Sequence, residues 1–127
     1  GGEISIALAG SFDSMNPYTR KGRAAALSTV MYESLLGQVL AGSGALPADD
    51  FDEMYGLLAH TIEYPEDKSW VIFHMRHEAK FSDGTPVTAH DVLFSHNLLL
   101  DEGLKSYAEA VRKRIPKAEV IDDHTIK

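Results

Sequence analysis

The segment from Trp70 to Leu100 restricts the fold of this chain more than any other part of the sequence. Its first residues alternate between apolar and polar side chains, and a period of two is typical of a half-buried strand. We predict a strand over 69–76 with His74 and Arg76 facing water. The apolar side chains that we expect to face the core are Val71, Phe73 and Met75.

A turn and a capped helix are predicted after this strand. Asp83-Gly84 is a turn signal, and Pro86 supports a fixed bend. Thr88 suits an N-cap, and Asp91 suits both a capping box and the positive end of the helix dipole. These roles account for Asp83, Gly84 and Asp91 better than a catalytic cluster does. The residues that follow at helical spacing are Val92, Leu93, His96, Leu99 and Leu100.

Two elements are predicted before this segment. Residues 3–9 alternate like a strand, with Ile4, Ile6 and Leu8 facing inward. Residues 23–36 have a helical pattern, and Gly37 follows as a C-terminal cap. The apolar stripe of that helix comprises Ala24, Leu27, Met31 and Leu35.

The remaining elements are short. We expect loops over 10–19 and 41–50, a short strand over 38–40, one helical turn over 55–59 and a helix over 107–114 that ends before Pro116. Two hairpins are predicted, one pairing 61–64 with 69–76 and one pairing 118–121 with 125–127. This hairpin-rich order favours the α+β class, with a small mixed sheet and two main helices.

Composition excludes several classes of function. The 127 residues are enough for one domain, and 44% apolar content fits a folded chain. A net charge of -7 provides no basic surface for nucleic acid or an anionic membrane. The absence of cysteine excludes disulfides, thiolate zinc sites and thiol catalysis. No apolar run is long enough for a transmembrane helix, and no export signal opens the sequence.

Catalytic and metal chemistry find little support in the sequence. It has neither a G-x-S-x-G nucleophile motif nor a glycine-rich phosphate loop, so we expect no catalytic residue and no cofactor. His74 and His77 are spaced to face opposite sides of a strand. His90 and His96 are poorly spaced for one ion on a helix, and His96 falls on the apolar stripe. We therefore expect no metal site.

Three cations precede the predicted helix over 23–36. Arg20, Lys21 and Arg23 would oppose the dipole at its N-terminus unless an anion lies nearby. One interpretation is that they contact a ligand carboxylate or an acidic surface elsewhere in a larger protein. The other is three solvated charges, which the small energies of surface charge pairs favour.

The order F-x-M-R, then A-K-F-x-D-G-x-P-V-T-A-x-D-V, resembles the signature of family 5 extracellular solute-binding proteins, the peptide- and nickel-capturing subunits of bacterial ABC importers. Shorter segments resemble the family in the same order, at 12–17, 31–35 and 56–63. The residues at 16–18 and 21–22 most resemble the oligopeptide-binding branch.

The resemblance implies an N-terminal fragment of a two-lobed α/β periplasmic-binding-protein type II fold. Residues 1–127 would form one domain portion, with the first strand and cleft loop of the main lobe over 1–20 and an accessory subdomain over 21–127. The implied protein is not an enzyme. It is a periplasmic substrate-binding component that captures oligopeptides or similar solutes and delivers them to permease subunits in the inner membrane. The alternatives are a regulator's ligand-sensing domain and a binding protein for a nickel chelate or another non-peptide solute.

The resemblance also implies a ligand site. In the family, a similar loop offers main-chain groups to an extended peptide, which is a form of strand addition. The corresponding ligand-binding residues here would be Gly10, Ser11, Phe12, Ser14, Met15 and Asn16. An ordinary connecting loop, in which Asn16-Pro17 begins a turn, fits the sequence equally well.

Overall fold

A computed structural model describes residues 2, 3, 5, 7, 10–18, 20–25, 28–38 and 54–127. These residues form an α+β fold, which confirms the predicted class. A 3₁₀ turn, Ser28–Met31, precedes the first strand. The strands and helices in chain order are β1 (Leu36–Gln38), β2 (Met54–Gly56), β3 (Ala59–Glu63), β4 (Ile72–Met75), α1 (Ala89–Glu102), α2 (Lys105–Arg114), β5 (Val120–Asp122) and β6 (Thr125–Ile126).

The described strands form two antiparallel sheets. The larger has the order β3-β4-β6-β5, and the smaller pairs β1 with β2. Ile62 lies opposite Phe73, and Phe73 lies opposite Ile126, so β4 is a central strand. Both predicted hairpins are confirmed, β3 with β4 and β5 with β6.

A small core lies between the larger sheet and α1. Its buried side chains are those of Met75, Val87, Ala89 and Ile126. Half-buried side chains pack around them, and these are Leu35, Phe73, Ala79, Val92, Leu93 and Val120. The inward orientation predicted for Phe73 and Met75 is therefore confirmed, while Val71 precedes β4 and is half-buried.

His74 and Arg76, predicted to face water, are half-buried and hydrogen-bonded. His74 Nε2 lies 2.6 Å from Glu63 Oε1 on the neighbouring strand. Arg76 Nε donates to the carbonyl oxygen of Leu57 at 2.7 Å. Alternation correctly separated these two polar side chains from Phe73 and Met75, which belong to the core. It did not predict these partners, which belong to β3 and to the β2–β3 connection.

The turn and helix cap are confirmed. Gly84 has a φ of 90°, a left-handed conformation that glycine adopts readily, and its amide donates to Phe81 O at 2.9 Å. Hydrogen bonds from the Thr85 hydroxyl and amide lower the pKa of Asp83. At the start of α1, the Thr88 amide and hydroxyl both donate to Asp91 Oδ2 at 2.8 Å. Asp83 and Asp91 thus stabilise local structure.

Replacing Asp91 with alanine removes both hydrogen bonds at this cap. We expect the variant to lose about 1 kcal/mol of unfolding free energy, the typical effect of a helix cap. Urea denaturation monitored by circular dichroism would measure the change. Ser95→Ala, an exposed substitution in the middle of the same helix, is the control and should change stability by less than about 0.5 kcal/mol. Equal stability of the two variants would contradict the assigned role of Asp91.

The helix predicted over 23–36 is wrong. Of the described residues in this segment, Ser28–Met31 alone form a helical turn, while Ala24 forms an isolated bridge with Ser14 and Leu36–Gln38 is β1. Gly37 is not a helix cap, because it pairs with Tyr55 in a strand, where a Cβ would lie 2.5 Å from the tyrosine ring. Pairing with β2 outweighs the local helical pattern in this segment. Leu27, part of the predicted stripe, lies outside the described residues.

Three other short predictions have different outcomes. The helical turn over 55–59 is wrong, because these residues contribute to β2 and to the start of β3. Of the strand predicted over 38–40, Gln38 belongs to β1 and the rest lies outside the described residues. The loop 41–50 and the inward residues Ile4, Ile6 and Leu8 also lie outside them.

The second half of the chain follows the sequence pattern more closely. α2 begins at Lys105 and ends at Arg114, two residues before Pro116, so the predicted short helix is confirmed. Three basic residues in its last turn suit the negative end of the helix dipole. Neither α1 nor any other helix in the described part of the chain has the length and apolar content needed to cross a membrane.

Candidate ligand-binding loop

The loop over 10–16, predicted as the ligand site, is attached to the segment that follows it. The amide of Asp13 donates to the carbonyl oxygen of Arg23 at 2.9 Å, and the Arg23 amide donates to Asp13 Oδ2 at 3.1 Å. The Ala25 amide donates to Ser14 O at 2.8 Å. These bonds hold the middle of the loop in place, and residues 10–18 form a loop as predicted. Thr19 lies outside the described residues.

The end of the loop is a compact turn. The Asn16 amide donates to Ser14 Oγ at 3.0 Å, and the Tyr18 amide donates to Asn16 Oδ1 at 2.9 Å. Asparagine before proline is a common turn initiator because its side chain bonds the backbone two residues on. The turn predicted at Asn16-Pro17 is therefore present. The Asn16 side-chain oxygen serves this turn.

Several main-chain donors of the loop have no partner among the residues that the structure describes. Within the described part of the chain, the amides of Ser11, Phe12 and Met15 donate to no other group. All three residues are exposed, so water or a ligand can satisfy these amides. An extended peptide accepts such hydrogen bonds through its carbonyl oxygens, whatever its side chains. The loop thus has the donors that main-chain recognition requires.

Large apolar side chains are exposed in the same part of the chain. Phe12 is 57% exposed and Met15 50%, while Tyr18 contacts Tyr32 edge to face with ring centroids 5.7 Å apart. Met31, assigned from the sequence to the apolar stripe of a helix, is 58% exposed. Tyr18, Met31 and Tyr32 were not identified as candidates from the sequence. Exposed apolar side chains are typical of binding surfaces when they are grouped.

Among the described residues, the three cations beside the loop are followed by the short 3₁₀ turn Ser28–Met31 and not by the predicted α-helix, so the argument from that helix's dipole is wrong. Arg20 Nη1 lies 3.6 Å from Glu102 Oε2, at the end of α1. Arg23 Nη1 lies against Gly10, where an added Cβ would approach it to 3.2 Å. Gly10 also has a φ of 115°, so a side chain there would strain the backbone. A glycine at this position lets Arg23 approach the start of the loop.

The histidines are arranged differently from the prediction. His74 and His77 line the same open cavity of about 670 Å³, together with His60 and His124. The ring centroids of His77 and His124 are 3.9 Å apart. Alternation failed for His77 because β4 ends at Met75 and His77 lies in the following turn. Among the described residues, no group of three or more histidine and acidic side chains is arranged to hold a metal ion.

Neither histidine of α1 lines this cavity, although His90 lies beside Asp123, which does. His90 Nε2 lies 3.7 Å from Asp123 Oδ1, and both side chains are largely exposed. His96 is half-buried and lines a second, more apolar groove, so its predicted position on the apolar side of the helix is close to the observed one. The His90 and His96 side chains therefore have separate surroundings.

Comparison with known proteins identifies the family of this chain. Residues 53–127 match the family described as bacterial extracellular solute-binding proteins, family 5 Middle. The chain is 34% identical over its full length to the peptidoglycan-binding protein YepA of Agrobacterium fabrum, of which it covers 20%. It is 32% identical over 99% of its length to the probable peptide-binding protein YejA of the same organism, of which it covers 19%.

A solved structure has the same fold. It is the ABC transporter-associated periplasmic binding protein DppA from Helicobacter pylori, in complex with the peptide STSA. The TM-score is 0.62 at 21% identity, over 92% of this chain and 24% of that one. The chain thus spans about a fifth of the length of the curated relatives that it matches. The family match extends from β2 to β6 and includes the turn and capped helix, so this chain belongs to family 5 of the bacterial extracellular solute-binding proteins.

Proposed function

We propose that this chain is part of the substrate-binding component of an ABC importer. The intact protein captures oligopeptides or similar solutes in the periplasm and delivers them to permease subunits in the inner membrane. Membership of family 5 carries the proposal. The name of the YejA relative and the peptide bound to the Helicobacter pylori protein support a peptide solute. In this role the protein is a binder and not an enzyme.

The proposal divides the chain into two parts. In this proposal residues 21–127 are an accessory subdomain, and a buried core and two sheets that lie between Leu35 and Ile126 of the described chain support it. Residues 1–20 belong to the main lobe and supply the cleft loop. The Asp13 and Ser14 hydrogen bonds to 23–25 join the two parts and fix the orientation of the loop.

The proposed contacts are mainly through the backbone. Ser11, Phe12 and Met15 offer amide donors, and the exposed Phe12 and Met15 side chains offer apolar surface. Gly10 keeps the first part of the loop open, while Ser14 and Asn16 hold its shape. Recognition of this kind binds peptides of varied sequence, because every peptide presents the same carbonyl groups.

Substitution of Ser11 by proline tests this mode of recognition, because it removes one amide donor. We expect the affinity of the intact gene product for a peptide solute to fall by about tenfold, the effect of about 1.4 kcal/mol from one lost hydrogen bond. Isothermal titration calorimetry would measure the change, with thermal unfolding as a check that the variant is folded.

Ser11→Ala is the matched control, since it shortens the side chain and keeps the amide. Its affinity should remain within about twofold of the unsubstituted protein. Equal affinity of the proline and alanine variants would exclude the Ser11 amide as a ligand contact. The proposal of peptide capture would then depend on other residues.

The solute class can be tested without a chosen ligand. Native mass spectrometry of the intact gene product, purified from its own host, would identify what remains bound. A set of short peptides is the expected result. Peptides carrying amino sugars would instead favour cell-wall fragments, the class suggested by the name of the YepA relative. A bound metal chelate, or no peptide in any preparation, would contradict the proposal.

A further inference from the structure

Asp13 lies in the middle of the loop over 10–16, but it is not among the residues proposed to contact a ligand. Its amide donates to the carbonyl oxygen of Arg23 at 2.9 Å. Its carboxylate oxygen Oδ2 accepts a hydrogen bond from the Arg23 amide at 3.1 Å. Main chain and side chain of Asp13 are therefore both bonded to one residue, which lies ten positions further along the chain. We call Asp13, Gly22 and Arg23 the Asp13 clasp.

Gly22 is the position of the clasp at which a side chain would interfere. Its φ of 81° is a left-handed conformation that glycine adopts readily and other residues rarely adopt. A Cβ on Gly22 would also lie 2.9 Å from Asp13 Oδ2 and 3.3 Å from Asp13 Cβ. Glycine therefore lets the chain turn before Arg23, and it leaves room for the carboxylate that accepts the Arg23 amide.

The clasp adjoins two of the amide donors that the loop offers to a ligand. Ser11 and Phe12 directly precede Asp13, and within the described part of the chain their amides donate to no other group. A mobile loop has to be ordered when a peptide binds, and this ordering weakens binding. A loop that is already held in the bound shape avoids that cost. The direction of the Ser11 and Phe12 amides thus depends on how firmly Asp13 is held.

We propose that Asp13 is a positioning residue for peptide capture, which acts through the Ser11 and Phe12 amides without contacting the peptide. The inference rests on the function proposed above, and it adds Asp13 and Gly22 to the residues on which capture depends. The partner of the carboxylate is a neutral backbone amide, so the clasp requires an acceptor oxygen at Asp13 and not a negative charge. Asparagine supplies such an oxygen, whereas alanine does not.

Substitutions of Asp13 in the intact gene product test this role. The probe is an equimolar mixture of short synthetic peptides, and mass spectrometry of the retained peptides gives the concentration for half-maximal capture. We expect Asp13→Ala to raise this concentration about fivefold, the effect of one lost hydrogen bond. Asp13→Asn should restore capture to within about twofold of the unsubstituted protein, because its side-chain oxygen can still accept the Arg23 amide.

Asp67→Ala is the matched control for Asp13→Ala. The Asp67 carboxylate accepts the Ser69 amide at 3.1 Å in the connection between β3 and β4, and both aspartates are exposed. Each alanine variant loses a carboxylate that accepts one backbone amide, so thermal unfolding should show similar effects on stability. We expect Asp67→Ala to leave capture within about twofold. A purely structural role of Asp13 would give the two variants the same capture as well as the same stability.

A pair of glycine variants tests the other side of the clasp. Gly22 and Gly84 both have a left-handed φ, of 81° and 90°. An added Cβ would meet the Asp13 carboxylate at Gly22, whereas no atom lies within 4 Å of it at Gly84. Gly22→Ala should therefore weaken capture at least about fivefold, and Gly84→Ala should leave it within about twofold.

Two results would overturn the positioning role alone. One is capture by the Asp13→Ala variant as strong as that of Asp67→Ala, in a protein that captures peptides when unsubstituted. The other is capture by Asp13→Asn as weak as that of Asp13→Ala, because the acceptor oxygen would then not be the cause. Failure of the unsubstituted protein to retain any peptide is a different result. It would contradict the proposed function, and the role of Asp13 in peptide capture with it.

Discussion

Replacing Met75 with alanine is expected to destabilise the fold by about 2–5 kcal/mol. Met75 is fully buried in the central strand β4, and it packs in one cluster with Val87, Ala89 and Ile126. Truncation therefore leaves a cavity between the sheet and α1 that these neighbours cannot fill without moving. Because a domain is typically stable by only about 5–15 kcal/mol, the loss is a large share of the total. Urea denaturation of the chain would measure it.

Two other methionine variants show whether burial causes this loss. Met54→Ala removes the same atoms from a side chain that is 60% exposed, and stability should change by less than about 0.5 kcal/mol. Met75→Leu nearly conserves volume in the core and should cost less than about 1.5 kcal/mol. A loss at Met75→Ala no larger than that at Met54→Ala would show that Met75 does not anchor the core.

The sequence predicted the region around Met75 well because several local signals agree there. Alternation places Phe73 and Met75 on one side of a strand, Asp83-Gly84 forms the turn, and Thr88 and Asp91 cap the helix. Each of these signals acts over a few residues, so no distant contact has to be known. The same agreement makes this region recognisable as the family signature.

The first half of the chain was predicted poorly because its structure depends on pairing between distant residues. The apolar spacing in 23–36 fits a helix, yet Leu36–Gln38 pairs with Met54–Gly56 in a strand. The segment 55–59 also has no alternation long enough to identify a strand. Both errors concern the same two-stranded sheet, since recognising either strand would have required knowing the other.

The candidate loop was predicted as a loop, but its shape was not. Glycine, asparagine and proline predicted the turn at Asn16-Pro17, which the structure contains. The bonds between Asp13 and Arg23 join residues ten positions apart, and no motif identifies them. Exposure of Met31 was missed because the sequence analysis assigned it to the apolar stripe of a helix that does not form. The exposed apolar side chains near the loop therefore could not be predicted without the fold.

Replacing Gly56 with alanine is the other substitution with a large expected effect, about 3 kcal/mol of destabilisation. A Cβ on Gly56 would lie 2.4 Å from the carbonyl oxygen of Ala59, which is a backbone atom. Ala59 is fully buried, and its amide donates to Leu35 O at 3.0 Å. Ala59, the first residue of β3, therefore cannot move away from the added Cβ without losing that hydrogen bond. The contact between β2 and β3 would be disrupted. Thermal and urea unfolding of the variant would measure the effect.

Gly84→Ala separates crowding from backbone strain. Gly84 has a φ of 90°, but no atom lies within 4 Å of an added Cβ, so alanine there carries the conformational penalty alone, about 1 kcal/mol. Gly56 has the opposite combination, with crowding and no left-handed φ. A loss at Gly56→Ala at least twice that at Gly84→Ala is the expected order. A larger loss of stability at Gly84→Ala would mean that the backbone between β2 and β3 can shift at little cost. Gly56 would then not be required for the close approach of the two strands.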